Sequence, residues 1–233
     1  MDYNCLKIKF AVVAMVCCCF SDLKAQAEAE NYWGDIKYEF PSKWQFEIAA
    51  GASAAGDFKH DAFSVFRPHG GVRVAYNFRE KESGGYVNLG VFLSGEGFER
   101  PSFALSSEEQ LHDVRCDAYY LKPSIHLGYK FHVGEITSMF IEAGPFLDYG
   151  LFGSAKSNYH YTEERKTHDL YGDSGLLKRW YFGVGARTGF EFNSHFSLSA
   201  GFDVGISDFT NEYRGYVERE YSTNTYVSLG YIF

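Results

Sequence analysis

Ten ionisable residues stand out by position. Glu47, Arg73, Lys122, His126, Lys130, Glu142, Asp148, Arg187, Glu191 and Asp203 each sit between two uncharged and mostly apolar neighbours. An ion in such a setting needs a partner, because a charge taken out of water is costly unless paired and hydrogen-bonded. Four cations against five anions, with a histidine among them, is close to balance and points to an internal ion-pair network. That network has two readings, a structural plug or a gate whose pairs rearrange to admit water and small solutes. A third chemistry starts from Ser124 and His126, two positions apart, with Glu142 near by: nucleophile, base and orienting carboxylate. That set comes with no recognisable oxyanion hole and no entry path for a lipid, so no enzymatic role is expected. Cysteine and histidine spacing offers no zinc site, and no cofactor is expected.

Holding these ions on one side and apolar residues on the other requires strict two-residue alternation, which is the period of a β-strand. It recurs eight times, over roughly 44–56, 69–78, 86–95, 116–131, 136–152, 179–192, 196–207 and 220–233. One parity carries Trp44, Phe46 and Ile48, then Val72, Val74 and Tyr76, and so on to Val227, Leu229, Tyr231 and Phe233. No charge falls on that parity, in a chain that is 22% charged. Each run is about as long as the 9–11 residues a tilted membrane strand needs.

A soluble sandwich also alternates. Connection lengths and aromatic placement separate the two cases. Links after the second, fourth and sixth runs are short ("REKESGG", "HVGE", "NSH"), whereas those after the first, third, fifth and seventh are long and polar. Outer-membrane barrels have short periplasmic turns and longer extracellular loops. The apolar parity is richest in aromatics at the short-link end (Trp44, Phe78, Tyr129, Phe131, Phe192, Phe196, Phe233), with a sparser set at the other (Tyr119, Tyr149, Trp180, Tyr221). Two aromatic girdles flanking Val, Leu, Ile and Ala suit a barrel standing in a bilayer. The expected fold is all-β: an eight-stranded antiparallel up-and-down transmembrane β-barrel, monomeric, touching outer-membrane lipid. Pro123 and Pro145 sit awkwardly in it, since a closed barrel has no edge for them and each forfeits a ladder hydrogen bond. They are expected to mark β-bulges.

The segment "MDYNCLKIKFAVVAMVCCCFSDLKAQA" joins lysines, an eleven-residue apolar run and the small residues Ala25 and Ala27. That is the grammar of a cleaved signal peptide, and the run is too short for a membrane helix. The expected organisation is therefore a signal peptide (1–27), a short periplasmic segment (28–43) and a barrel domain (44–233). Four of the five cysteines belong to the first segment, so Cys116 alone remains and no intramolecular disulfide is expected. A net charge of −8 with pI near 5.5 disfavours nucleic-acid binding, which uses basic patches.

With the strands placed, "YYLKPSIHLGYKF" (119–131), "FIEAGPFLDYGL" (140–151) and "YFGVGARTGFEF" (181–192) together resemble the outer-membrane β-barrel domain family that includes PorT-like and small OmpX-type proteins. The resemblance implies an outer-membrane location in a Gram-negative-type bacterium and, for a PorT-like member, an accessory role in secretion. It also implies that Val227, Leu229, Gly230, Tyr231 and Phe233 form the terminal signal read by barrel-assembly machinery. Within that frame the chain is expected to be a membrane-anchored scaffold. It would contact an extracellular ligand or an outer-membrane protein through its long loops, 95–117 and 153–179. The alternatives are a narrow porin-like channel and a lipid-modifying enzyme.

Overall fold

The computed structural model describes residues 42–57, 63–79, 83–104, 110–159, 162–171, 175, 177–208 and 222–233. All of them fall in one unit, Glu39–Phe233. The expected signal segment with Ala25 and Ala27, and almost all of the expected periplasmic segment, lie outside the described residues.

Nine strands follow one another: β1 (Trp44–Asp57), β2 (Phe63–Asn77), β3 (Gly84–Ala104), β4 (Gln110–Gly134), β5 (Thr137–Tyr159), β6 (Thr162–Asp169), β7 (Trp180–Phe192), β8 (Phe196–Gly205) and β9 (Ser222–Ile232). Eight of them close a ring in the order β1-β2-β3-β4-β5-β7-β8-β9 and back to β1, with every pairing antiparallel. The eight-stranded antiparallel barrel expected from the alternation is thus the fold.

β7 shows why the ring closes as it does. In WYFGVGARTGFEF the residues Trp180, Phe182, Val184 and Ala186 are exposed, and the intervening Tyr181, Gly183, Gly185 and Arg187 are buried. The same split runs around the barrel. Leu127 and Leu229 are 66% and 67% exposed, and Trp44, Ile48, Ile125, Ile141, Val227 and Phe233 are exposed with them. An exposed apolar belt of that extent has no place in water; it is the lipid-facing band of a membrane barrel. No helix among the described residues is long and apolar enough to cross a membrane. The crossing is made by strands.

At the end where the chain turns quickly, β7 passes to β8 through Asn193 and Ser194, both with positive φ (47° and 57°), and the His195 amide donates to the Phe192 carbonyl at 3.1 Å. Two left-handed residues give the turn a twist that matches the flanking strands. The last residue is tied down here as well: the Phe233 amide donates to the Phe46 carbonyl at 2.8 Å.

The opposite end departs from expectation. Segments 95–117 and 153–179 are largely strand rather than loop. β3 and β4 stay paired out to Ala104↔Gln110, β4 and β5 out to Leu111↔Tyr159, and β6 adds a further strand along the outer part of β5. Nine residues of β4 precede Tyr119, so this sheet runs on for about 30 Å along its strands past the belt. Once outside hydrocarbon neither face of a strand must be apolar, and the alternation that marks membrane strands fades.

The prolines depart from expectation too. The register shifts between β4 and β5 fall at His112/Arg115, Tyr119/Tyr120 and His132/Gly134, none at Pro123 or Pro145. The register runs straight past both, without a bulge.

The barrel interior as candidate functional site

Alternation sends every second side chain inward, and an eight-stranded barrel is only wide enough to be filled by them. All ten ionisable residues singled out from the sequence are buried inside it. They meet at three levels.

Nearest the short turns, the Lys130 ammonium donates to Glu191 at 2.8 Å and to Gln45 Oε1 at 2.5 Å, and Gln45 also accepts from Asn77 at 3.1 Å. At mid-height two carboxylates and two guanidiniums interlock. Glu142 accepts from Arg187 Nε at 2.7 Å, from the Tyr86 hydroxyl at 2.7 Å and from Asn88 at 3.0 Å, with His126 Nδ1 at 3.2 Å. Glu47 accepts from Ser197 at 2.5 Å, Arg73 at 3.2 Å and Arg187 Nη1 at 3.5 Å. Each guanidinium also lies over a ring, Arg73 on Phe92 and Arg187 on Phe140, at 4.1 and 4.5 Å. Such stacking suits a planar cation that has been desolvated.

The third level holds one cation for three anions. Lys122 Nζ lies 2.7 Å from Asp203, 3.4 Å from Asp148 and 3.9 Å from Glu96. Glu96 also accepts from the Tyr181 hydroxyl at 2.9 Å and from Ser222 at 3.3 Å. Above it aromatic rings gather inside the barrel. Tyr120 packs edge-on against both Tyr181 and Tyr171. The segment carrying Tyr171 is fixed by the Leu177 amide donating to the Leu170 carbonyl at 2.9 Å.

Glycines let the rings lie flat across the wall. A methyl group on Gly128 would stand 2.4 Å from the Tyr86 ring, and one on Gly201 would stand 2.1 Å from the Tyr226 ring. Both distances are far inside contact, so each tyrosine occupies the space its neighbouring glycine leaves. Between Phe92 and Tyr226 lies His69, stacked on both at 4.8 and 4.6 Å.

Sequence reasoning left out several members of this interior: Glu96, Tyr86, Tyr181, Asn88, Gln45 and Ser197. Glu96 had been placed in a loop, yet it keeps the parity of Asn88, Phe92 and Ser94, all buried. Extending that parity two residues would have found it. Two members of the nucleophile–base set, His126 and Glu142, meet inside the barrel. His126 turns Nδ1 to Glu142, its Nε2 has no hydrogen-bond partner, and Ser124 Oγ leans toward Gly90 on β3. Of the terminal residues, Val227, Leu229, Tyr231 and Phe233 point outward. Gly230 faces inward, where a methyl group would meet the Glu47 carboxylate at 2.2 Å.

Comparison with known proteins places this architecture. No curated protein sequence matches the chain. Among solved structures it is similar to the attachment invasion locus protein Ail of Yersinia pestis (14% identity, TM-score 0.38, covering 83% of this chain and 99% of Ail). It is also similar to OprG of Pseudomonas aeruginosa (11%, 0.44, 84% and 99%) and to Neisserial surface protein A (12%, 0.38, 83% and 99%). The model of the outer membrane protein beta-barrel domain matches residues 25–211. The chain therefore belongs to the outer membrane protein β-barrel domain family, whose place is the bacterial outer membrane.

Proposed function

We propose that this protein is a non-conducting, non-enzymatic membrane anchor that holds a projecting β-sheet outside the bilayer for contact with another protein. One observation carries the first half of the reading. The lumen is crossed at three successive levels by paired ions, and Tyr120, Tyr171 and Tyr181 close it above. A solute would have to break buried pairs at each level, and breaking one by removing a partner typically costs about 3–5 kcal/mol.

The second half rests on the sheet. Among the described residues β6 pairs with β5 alone and so stands as an edge of the projecting sheet. An edge of this kind accepts an added strand from a partner, while the charges of TEERKTHD discourage indiscriminate pairing. The expected partner is an extended segment of an extracellular or outer-membrane protein.

Folded protein in planar lipid bilayers tests the closed lumen: silent membranes are expected, and reproducible ohmic steps would overturn it. Photo-cross-linkers placed along 162–169 in intact cells test the sheet. Cross-linking to a discrete protein is expected, and labelling of lipopolysaccharide alone would remove the partner from the reading.

A further inference from the structure

Within the apolar belt the seams of this barrel pair residue by residue, except the one between β4 and β5. There Leu121↔Tyr149, Ser124↔Phe146 and Leu127↔Ala143 are paired, while residues 122, 123, 125 and 126 have no partner on β5, although the register does not change. Pro123 and Pro145 are the cause. Each stays paired on its other side, to Val91 and Val184, so each ring nitrogen faces into the β4–β5 seam. The carbonyls of Leu147 and Ile125 stand opposite those nitrogens and receive no ladder hydrogen bond. In hydrocarbon, where no water substitutes, a bare carbonyl is costly.

The inner side of the same seam carries one more polar atom without a hydrogen-bond partner, the buried His126 Nε2, while Asp148 there is held by the Lys122 ammonium at 3.4 Å. The unmet backbone groups of this seam are therefore acceptors, the two carbonyls. On the lipid side the seam is lined by Pro123, Ile125, Pro145 and Leu147, which are apolar.

We propose that the β4–β5 seam is a lateral binding site for an amphiphile dissolved in the bilayer, with a long alkyl chain and a head group that donates hydrogen bonds, an alcohol or an amine. The chain lies along the two prolines, Ile125 and Leu147. The head donates to the Ile125 and Leu147 carbonyls. Ser124↔Phe146 is the one ladder pair that must yield. A carboxylate head brings acceptors to acceptors and is excluded.

The test uses the full chain in phospholipid nanodiscs, with residue-resolved amide exchange in lipid alone and with added dodecanol, dodecylamine or laurate. In lipid alone, Ile125 and Leu147 are expected to exchange at least tenfold faster than Val184 and Ala186 at matching depth. Dodecanol and dodecylamine restore slow exchange and laurate does not. In P123V/P145V, which supplies the two missing N–H groups, exchange is slow from the start and the alcohol has no effect. If that variant fails to fold, a Ser124→Cys/Phe146→Cys disulfide in a Cys116→Ala background closes the same seam and must abolish the dodecanol effect. Equal exchange in all seams, or no response to dodecanol and dodecylamine, overturns the site. An equal response to laurate overturns the donor head group.

Discussion

Arg187 and Glu142 stand directly opposite each other in the β7–β5 ladder, and Nε donates to the carboxylate at 2.7 Å while Nη1 of the same guanidinium reaches Glu47 at 3.5 Å. One cation thus ties β7 to both β5 and β1 through the middle of the lumen. Arg187→Ala leaves two buried carboxylates short of a partner and is expected to destabilise the barrel by about 3–5 kcal/mol. Glu142→Gln keeps the shape and two acceptor-donor contacts and should cost less, about 1–3 kcal/mol. Urea-driven unfolding from lipid vesicles, followed by heat-sensitive gel mobility, ranks the two; equal stability of Arg187→Ala and the parent would refute the tie.

The fit of Tyr86 over Gly128 gives a second expectation. Gly128→Ala pushes a methyl group into the ring and must displace the hydroxyl from Glu142, at a cost of about 1–3 kcal/mol for overpacking. Tyr86→Phe removes the same hydrogen bond without the collision. If the ring and the bond act together, the double variant Gly128→Ala/Tyr86→Phe will lose less than the sum of the singles. Strict additivity in the same unfolding assay would show that the glycine serves some other purpose.

Strand parity made most of this legible. The outward residues from Trp44 to Phe233 announced a lipid-facing wall, and the opposite parity picked out the ionic interior because a charge between two apolar residues has only one side to go to. Legibility failed where the physical constraint lapses. Past the belt, β3 runs on as GEGFERPSFA with both faces free to be polar and a proline within it, so it read as loop and took Glu96 with it. Pro123 and Pro145 misled for a different reason. A lone proline in a closed sheet calls for a bulge, but two prolines offset across one seam leave Ser124↔Phe146 between them to hold the register. That compensation lies between strands and is invisible along either one.

The belt sets a depth-dependent expectation. Val184 is outward and exposed midway along β7, while Phe233 lies at the short-turn rim. Val184→Arg should cost about 2–4 kcal/mol near the midplane, and Phe233→Arg only about 0–1 kcal/mol at the interface. The comparison is internal to one protein and one lipid, so folding efficiency differences cancel if both variants reach the heat-sensitive folded form. Equal penalties at the two positions would mean that the belt does not stand in hydrocarbon.

The upper level of the interior supplies the sharpest electrostatic expectation, because among the described residues Lys122 is the sole cation there facing Glu96, Asp148 and Asp203. Arg187 and Arg73 share their carboxylates at mid-height, so loss of either leaves a cation behind; loss of Lys122 leaves three anions and none. Lys122→Met preserves much of the volume and the packing on Phe146, from which Nζ lies 4.6 Å, so its effect reports charge rather than a cavity. The expected destabilisation is about 3–5 kcal/mol. Adding Asp203→Asn, which removes the anion at 2.7 Å, should recover part of that loss, and adding Asp148→Asn as well should recover more. In the parent background Asp203→Asn alone is expected to destabilise, since it takes the best partner from a buried ammonium. This reversal of sign is what separates an ionic cluster from mere packing. If Asp203→Asn weakens the barrel equally with and without Lys122, the cluster is not coupled, and the three carboxylates are held by their hydroxyl donors instead.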